Sequence, residues 1–327
     1  MKFAARAAQR AVLGMGVLVG ASLASPAALA AYPERPITIV VPFGAGSGTD
    51  AIARMVAQGL SDKLGQPAAV ANKPGAGGII GASSVANSPG DGYTLLVATS
   101  GPMAANASLY SKLAYDPQAD FEPIAIVAKR PMVILASKEA KGKTFADIVA
   151  EAKANPGKVN FGSSNTTSRV FVELLKKSQD VQVETVLYKD VGGLMTDLIS
   201  GRVSYVFEDA GPSLTQIKAD RVNLVAVADK KRAGFAPDTP ATSEYGFDDH
   251  GLVTWYAVFA PKNTPPEIVA KLNQTINQYV RGPEMKKMAD DVGLELVNVT
   301  PAEFKEFQKG EIAKWKHLVE ITGVKLD

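Results

Sequence analysis

The sequence has 327 residues, of which 46% are hydrophobic and 21% are charged, as is typical of a globular protein with a hydrophobic core. Its 35 basic and 33 acidic residues nearly balance, which argues against nucleic acid and anionic membranes as partners, because both favour a basic excess. It contains no cysteine and only two histidines, His250 and His317, neither of them in a metal-binding spacing. We therefore expect about two domains, no metal or other cofactor, and little capacity for covalent catalysis.

The first 30 residues have the order of a secretory signal peptide. Lys2, Arg6 and Arg10 precede an uncharged, mostly apolar run over residues 11–24, and Ala28-Leu29-Ala30 offers the small residues that a signal peptidase requires. The run is shorter than the roughly 20 apolar residues of a membrane span, although an uncleaved anchor is the alternative. We predict cleavage near Ala30 and a mature chain in the periplasm. Loss of the three basic residues changes the formal net charge from +2 to −1.

Short β-branched runs alternate with segments of helical length along the rest of the chain. The runs cover residues 38–43, 68–71, 94–98, 124–128, 133–136, 159–161, 185–188, 203–207 and 224–228. Continuous apolar runs separated by helices are typical of mainly parallel sheets that are covered on both faces. The sequence therefore predicts an α/β fold.

Two extended segments, 124–136 and 252–261, are predicted to cross between two lobes. The first is interrupted only by Lys129-Arg130-Pro131. A cleft at a domain interface is a favoured place for a small ligand. The predicted division is a signal peptide over residues 1–30, lobe 1 over residues 31–131 and 255–327, and lobe 2 over residues 132–254.

Two helix starts near the C-terminus have the pattern of a capping box. Thr264-Pro265-Pro266-Glu267 and Thr300-Pro301-Ala302-Glu303 each place proline at the first helical position and glutamate at the third. We therefore predict N-caps at Thr264 and Thr300.

A glycine-rich loop, Phe43-Gly44-Ala45-Gly46-Ser47-Gly48-Thr49-Asp50, follows the first predicted strand and precedes a helix predicted over residues 50–64. Glycine lets the backbone approach a ligand, and free amides at a helix N-terminus attract an anion. Thr49 or Asp50 is the expected N-cap. The loop matches neither the P-loop nor the GxGxxG spacing, so a plain turn and an anion site both remain open.

Three further polar loops follow predicted strands. Asn72 to Gly78 is interpreted as a structural turn, whereas Thr99-Ser100-Gly101-Pro102 offers hydroxyls and amides at the edge where strands of an open α/β sheet bind ligands. Ser163-Ser164-Asn165-Thr166-Thr167-Ser168-Arg169 is the densest polar run and precedes an apolar helix over residues 170–175. It has more donors than one helix cap requires, and Arg169 can bind a carboxylate through two hydrogen bonds. We therefore predict a binding role for this run beside its capping role.

Short blocks spread over the chain form a specific set when they are taken together. They are Tyr32-Pro33-Glu34-Arg35-Pro36-Ile37, Val41-Pro42-Phe43 with Gly46 to Asp50, Asn72 to Gly78, Asp91-Gly92-Tyr93-Thr94-Leu95-Leu96, Ser108-Leu109-Tyr110, Tyr115-Asp116-Pro117, Asp120-Phe121, Tyr188-Lys189 and Gly323-Val324-Lys325. This set resembles the substrate-binding proteins of tripartite tricarboxylate transporters, also called the Bug family. The resemblance extends from Tyr32 to Asp327.

The resemblance implies a type II periplasmic binding protein fold, in which two α/β lobes joined by two crossing strands close on a small organic acid. In the family, the glycine-rich loop and the loop equivalent to Thr99–Met103 hold a carboxylate from one lobe, partly through water. The other lobe supplies the serine-rich loop and the strand ends near Tyr188 and Glu208. The ligand-binding residues predicted in this way are Phe43, Gly44, Ala45, Gly46, Ser47, Gly48, Thr49, Asp50, Thr99, Ser100, Gly101, Met103, Ser163, Ser164, Asn165, Thr166, Thr167, Ser168, Arg169, Tyr188 and Glu208.

The chain departs from the family pattern on the ligand side. Its serine-rich loop is two residues short, Arg169 stands where a histidine is frequent, Asp190 replaces a glycine, and Glu208 replaces an aspartate. The exact substrate therefore does not follow from the resemblance.

The leading hypothesis is a non-catalytic receptor that delivers a small carboxylate, either a dicarboxylate or an aromatic one, to inner-membrane transporter subunits. Glu208 could instead accept a hydroxyl or an ammonium group, so an amino acid is also open. The alternatives are a periplasmic α/β hydrolase that uses a loop serine, and a receptor that feeds a two-component sensor. No GxSxG motif is present, which counts against the hydrolase. We expect a monomer.

Overall fold

The computed structural model describes residues 32–140 and 142–326, so the predicted signal peptide and its cleavage site lie outside the described residues. The strands are β1 (Ile37–Val41), β2 (Ala68–Asn72), β3 (Thr94–Thr99), β4 (Phe121–Ala136), β5 (Asn160–Ser163), β6 (Glu184–Leu187), β7 (Tyr205–Asp209), β8 (Asn223–Ala228), β9 (Val253–Pro261) and β10 (Glu295–Leu296). The helices are α1 (Gly48–Leu64), α2 (Ile79–Ala86), α3 (Asn106–Leu109), α4 (Phe145–Ala154), α5 (Thr166–Gln179), α6 (Val191–Ile199), α7 (Ala210–Lys218), α8 (Pro266–Val280), α9 (Pro283–Val292) and α10 (Pro301–Thr322). In this described part, no helix is both long and apolar enough to span a membrane.

The strands form one curled sheet with two parts. In the first sheet the order is β2-β1-β3-β9-β4, with β10 also pairing with β4, and in the second sheet it is β4-β7-β5-β6, with β8 also pairing with β4. β1 is parallel to β2 and β3, and β5 is parallel to β6 and β7. β9 and β4 run antiparallel to their neighbours. The prediction of mainly parallel sheets is therefore confirmed for β2-β1-β3 and for β6-β5-β7. It is wrong for β4, β8, β9 and β10, which pair antiparallel.

β4 belongs to both sheets and connects them without a break. Phe121 to Pro131 pair with β9 in the first sheet, and Met132 to Ala136 pair with β7 and β8 in the second. Lys129-Arg130-Pro131 does not interrupt the strand, because Arg130 pairs with Thr254 in the β9 register. The polar residues predicted to be a break therefore mark the place where β4 changes sheets.

The helices pack buried apolar side chains against both faces of the sheets. Trp255 and Trp315, which are 0% and 1% exposed, lie in the largest core, and this core extends under both sheets. Helix α10, which carries Trp315, packs on α3 and β4 and also on α5, so it bridges elements of the two sheets. Burial of such large rings is a main source of stability in a chain without disulfides.

The two predicted capping boxes differ in outcome. Thr300 caps α10 as predicted, with Glu303 completing the capping box. The prediction for Thr264 is wrong, because α8 begins at Pro266 and its N-cap is Pro265. The Thr264 hydroxyl instead donates to the carbonyl oxygen of Pro261 at 2.8 Å.

Candidate functional site

Polar loops follow strands of both sheets. The first edge consists of residues 43–50 after β1 and residues 99–103, which begin with the last residue of β3. The second edge consists of residues 163–169 after β5, residue 188 after β6, and residues 208–211 at the end of β7 and the start of α7. The carboxyl ends of strands in open α/β sheets are the usual place for ligands, and both edges hold residues predicted from the sequence.

Asp50 shapes the glycine-rich loop of the first edge. Helix α1 begins at Gly48 and its N-cap is Ser47, not Thr49 or Asp50, because the Ser47 hydroxyl accepts the Asp50 amide at 3.2 Å. The Asp50 carboxylate accepts hydrogen bonds from the Gly46 amide at 3.0 Å and from the Arg54 guanidinium at 3.0 and 3.1 Å. The Asn72 amide adds a further bond to Asp50 at 3.0 Å and also donates to the carbonyl of Phe43 at 3.1 Å.

Burial alone would raise the pKa of the Asp50 carboxyl, but the bonds from Arg54, Gly46 and Asn72 bring it below its ordinary value. Asp50 is therefore ionised and engaged, and it holds the loop. The loop backbone itself is open, since Gly44, Ala45, Gly46 and Gly48 are exposed. Gly46 has φ of 80°, a left-handed conformation that favours glycine.

The loop after β3 contributes less side-chain surface than predicted. Residues 101–105 form a π-helical turn, and the Met103 side chain is 0% exposed in the large core. The backbone carbonyl of Met103 accepts a hydrogen bond from the Gln308 side-chain amide at 3.1 Å. The Met103 side chain therefore packs as core and does not line the surface of the edge. Ser100 is 2% exposed, while Thr99 and Gly101 are half-buried.

The serine-rich loop of the second edge is largely satisfied by its own hydrogen bonds. Asn165 caps α5 and forms a capping box with Ser168. The hydroxyls of Ser163 and Ser168 lie 2.7 Å apart and are buried. The surplus of donors predicted for this run is therefore smaller than the sequence suggested, because helix capping uses several of them.

Glu208 is buried and binds the serine-rich loop of the second edge. Its carboxylate is 3% exposed and accepts hydrogen bonds from the Ser164 hydroxyl, from the Asn165 amide at 2.8 Å and from the Asp209 backbone at 2.9 Å. Burial raises the pKa of Glu208 to about 7, while the bonds from Ser164, Asp209 and Asn165 act in the opposite direction. The expectation that Glu208 offers a free acceptor to the ligand is not supported, because protein donors already use both carboxylate oxygens.

Arg169 and Tyr188 also lie at the second edge. Arg169 is half-buried in the first turns of α5, and among the described residues no acidic side chain pairs with its guanidinium. The Tyr188 hydroxyl donates to Asp197 at 2.9 Å, which leaves the half-buried ring as its contribution to the surface. Of the two, Arg169 has the uncommitted polar group.

Arg130 forms a buried ion pair beside both edges that the sequence did not predict. Its side chain is 7% exposed, and its Nη1 donates to Asp209 Oδ1 and to the Tyr256 hydroxyl, each at 3.0 Å. Burial alone would lower the pKa of Arg130, but the Asp209 charge raises it above its ordinary value. An arginine inside an apolar run was the available signal, because a buried charge requires partners from other elements.

The two histidines lie far apart in sequence but meet in space. Their ring centroids are 5.9 Å apart, and His250 Nδ1 lies 3.8 Å from Asp248 Oδ2. Within residues 32–140 and 142–326 no three metal-ligating side chains form a cluster that could hold an ion.

The sequence and the fold both match known proteins. The model of the "Tripartite tricarboxylate transporter family receptor" matches residues 52–324. The chain belongs to this receptor family. Protein BugT of Bordetella pertussis is 33% identical over 319 residues, which cover 97% of this chain and 98% of BugT.

Two solved structures from Rhodopseudomonas palustris have the same fold. The structure of Rpa4515 with adipate has a TM-score of 0.82 at 31% identity and covers 90% of this chain and 99% of that one. The structure of MatC with bound malate has a TM-score of 0.78 at 29% identity and covers 88% of this chain and 100% of that one. The predicted family and the two-lobed periplasmic binding protein fold are confirmed. Members of the family are solute-binding receptors and not enzymes, which removes the hydrolase alternative.

Proposed function

We propose that the chain captures a small organic carboxylate between the two edges and delivers it to the inner-membrane subunits of a tripartite tricarboxylate transporter. The observation that carries this proposal is a pair of open helix starts, one on each edge. Within the described residues, no protein acceptor takes the backbone amides of Gly48 and Thr49 in α1, or those of Thr166 and Thr167 in α5. Free amides at a helix N-terminus stabilise an anion.

The uncommitted cation of the second edge supports a ligand with a second anionic or polar end. One carboxylate would be held by residues 43–50 and 99–103, and the other end would face Arg169. Both buried carboxylates, Asp50 and Glu208, are already satisfied by protein donors, which favours an acid without an ammonium group. Two related structures contain adipate and malate, which makes a dicarboxylate the first choice, with an aromatic carboxylate second.

Closure of the two lobes would bring the two edges onto one ligand. The change of sheet at Pro131 and Met132 supports the proposed lobe boundary after residue 131. Where the chain returns from lobe 2 to lobe 1, β9 pairs with β4 from Val253 onward, and this pairing begins two residues before the proposed boundary between residues 254 and 255. Ligand contacts available only in the closed state would make that state dominant. Our proposal includes signal cleavage near Ala30, a periplasmic mature chain and a monomeric receptor.

A thermal-shift screen of organic acids tests this proposal. A ligand that binds only the folded state stabilises it by RT ln(1 + [L]/Kd), so malate, adipate and benzoate at 100 times Kd should each add about 2.7 kcal/mol if they bind. The matched diamides and methyl esters serve as controls for charge. Stabilisation by at least one acid but not by its neutral analogue is expected. No stabilisation by any acid of the panel would contradict the proposal.

A further inference from the structure

Arg130 lies where the two edges meet. It is the next-to-last residue of β4 before the strand changes sheets. Its partner Asp209 is the last residue of β7 in the second sheet and the N-cap of α7. Its Tyr256 partner is in β9 of the first sheet. The guanidinium therefore sits at the junction of the two sheets, between elements of both edges.

The protein uses only part of this guanidinium. Nη1 serves both Asp209 and Tyr256, whereas Nε is buried and has no hydrogen-bond partner among the described residues. Asp209 does not serve Nε: its Oδ1 accepts Nη1 and the Gly211 amide at 2.9 Å, and its Oδ2 accepts the Tyr256 hydroxyl at 3.2 Å. A buried donor without an acceptor costs free energy. The unpartnered Nε–H of Arg130 therefore points to an acceptor that a ligand supplies.

Two helix starts approach the same guanidinium closely. A Cβ placed on Gly48, the first residue of α1, would lie 3.3 Å from Arg130 Nη1. A Cβ on Gly211, in the first turn of α7, would lie 2.4 Å from Nη1 and 3.1 Å from Nε. The guanidinium is therefore packed tightly against both helix starts, a side chain at position 211 would displace it, and the free amides of Gly48 and Thr49 belong to the α1 start that it contacts. A cation and two positive helix ends therefore converge at the junction, with Asp209 as the nearby counter-charge.

We propose that Arg130 is a specificity-determining residue, whose Nε–H and the free amides at the start of α1 receive a carboxylate at the inner end of the ligand. This inference rests on the proposed function and adds the group that distinguishes an acid from its neutral analogue. A hydrogen bond with an ionised donor or acceptor is about twice as strong as one between neutral groups. The backbone amides donate to either oxygen type, and the Arg130 guanidinium adds a cationic donor, which favours a carboxylate over a neutral amide oxygen. Arg169 would then meet the outer end of the ligand.

The test is a titration followed by proton–nitrogen NMR of the arginine Nε–H groups in the purified protein. The probes are acetate, malate and adipate, with sodium chloride at matched ionic strength as the control. The Arg130 signal is assigned by its loss in Arg130→Lys. This variant keeps a cation beside Asp209 but has no Nε–H. We expect a saturable shift of the Arg130 signal with the acids and none with chloride, while the exposed Arg202 serves as an internal reference.

Calorimetry on the variant gives the second readout. Arg130→Lys should weaken the binding of malate or adipate by about 10- to 100-fold, as expected for a lost bond to a charged group. It should also reduce the preference for the acid over its diamide, which loss of a merely structural contact would not do. Acids that bind the wild type without moving the Arg130 signal, and that bind Arg130→Lys equally well, would overturn this inference and leave the proposed function standing. No response of either the signal or the melting temperature to any acid, acetate included, would overturn both.

Discussion

Asp50 shapes the glycine-rich loop of the first edge and Glu208 shapes the serine-rich loop of the second, and each residue is 3% exposed. Both carboxylates accept hydrogen bonds from the loop that precedes a helix. They differ in charge balance, because Arg54 forms two bonds with Asp50 while the described partners of Glu208 are a hydroxyl, a side-chain amide and a backbone amide. The same structural role is therefore filled once with a cation and once without.

The two carboxyls differ in charge state near neutral pH, because burial dominates the pKa of Glu208, whereas the bonds from Arg54, Gly46 and Asn72 outweigh burial at Asp50. The pKa of Asp50 lies below its ordinary value of 3.8, so its stabilising contribution is present above that pH and is lost as the pH falls further. The pKa of Glu208 is raised from 4.5 to about 7, so the folded state binds more protons than the unfolded state between these values. Stability therefore falls as the pH rises through that window. One edge is fixed in charge and the other can titrate.

The largest expected effect is that of Asp50→Asn. The substitution removes the charge that holds Arg54 and weakens the acceptor for Gly46 and Asn72, so we expect a loss of about 3 kcal/mol in the free energy of unfolding. Urea denaturation at pH 7 measures it. Asp62→Asn on the same helix is the matched control, because Asp62 is exposed and its hydrogen-bond partner among the described residues is Gln58. Equal effects of the two substitutions would show that Asp50 does not hold the loop.

Substitution of the arginine on the second edge should affect ligand affinity and not the stability of the fold. Arg54 is committed to Asp50, whereas Arg169 is available to a ligand. Arg169→Ala should cost about 1.5–3 kcal/mol of binding free energy, which is roughly 10- to 100-fold in Kd, with little change in stability. Titration calorimetry with the best acid gives the affinity. An unchanged Kd would reassign Arg169 to the helix end alone.

Glu208→Gln tests the titrating edge. The variant cannot ionise, so its stability relative to the wild type should increase by about 2.5 kcal/mol between pH 5 and pH 8, since one pKa unit corresponds to about 1.4 kcal/mol. Chemical denaturation of both proteins across this range provides the comparison. Asp50→Asn should show no such change in this range, because Asp50 is ionised throughout. A constant difference between Glu208→Gln and wild type would mean that Glu208 does not titrate near neutral pH.

The helix caps of the two edges give the smallest effects. Ser47→Ala and Asn165→Ala each remove an N-cap acceptor and should each cost about 1 kcal/mol. Asn165→Ala also removes a donor to Glu208, so it should raise the pKa of that carboxyl further and steepen the loss of stability with rising pH. Urea denaturation at pH 5 and pH 8 distinguishes the two variants. Identical pH profiles would indicate that the Asn165 bond does not affect Glu208.

Local patterns predicted much of this architecture, because strand runs and glycine-rich turns act over a few residues. The glycine-rich loop, the serine-rich loop and the capping box at Thr300 all follow from neighbouring side chains. The commitments of Asp50 and Glu208 were not predicted, since their partners Asn72, Ser164 and Asn165 come from other elements.

Arg130 shows most clearly why contacts between distant elements could not be predicted. Its partners Asp209 and Tyr256 are separated from it by 79 and 126 residues. The sequence contained the sign of a buried cation in a strand but not the identity of its partners. The Met103 side chain failed as a site residue for the opposite reason, since the π-helical turn directs it into the core.

Small-angle scattering with and without an acid found in the screen tests the central claim most directly, that the two edges close on one ligand. A ligand held from both sheets should make the closed state dominant and decrease the radius of gyration at saturation. The matched diamide should leave the radius unchanged. A radius that stays the same at saturating acid, with binding confirmed by calorimetry in the same sample, would contradict closure of the edges around the ligand.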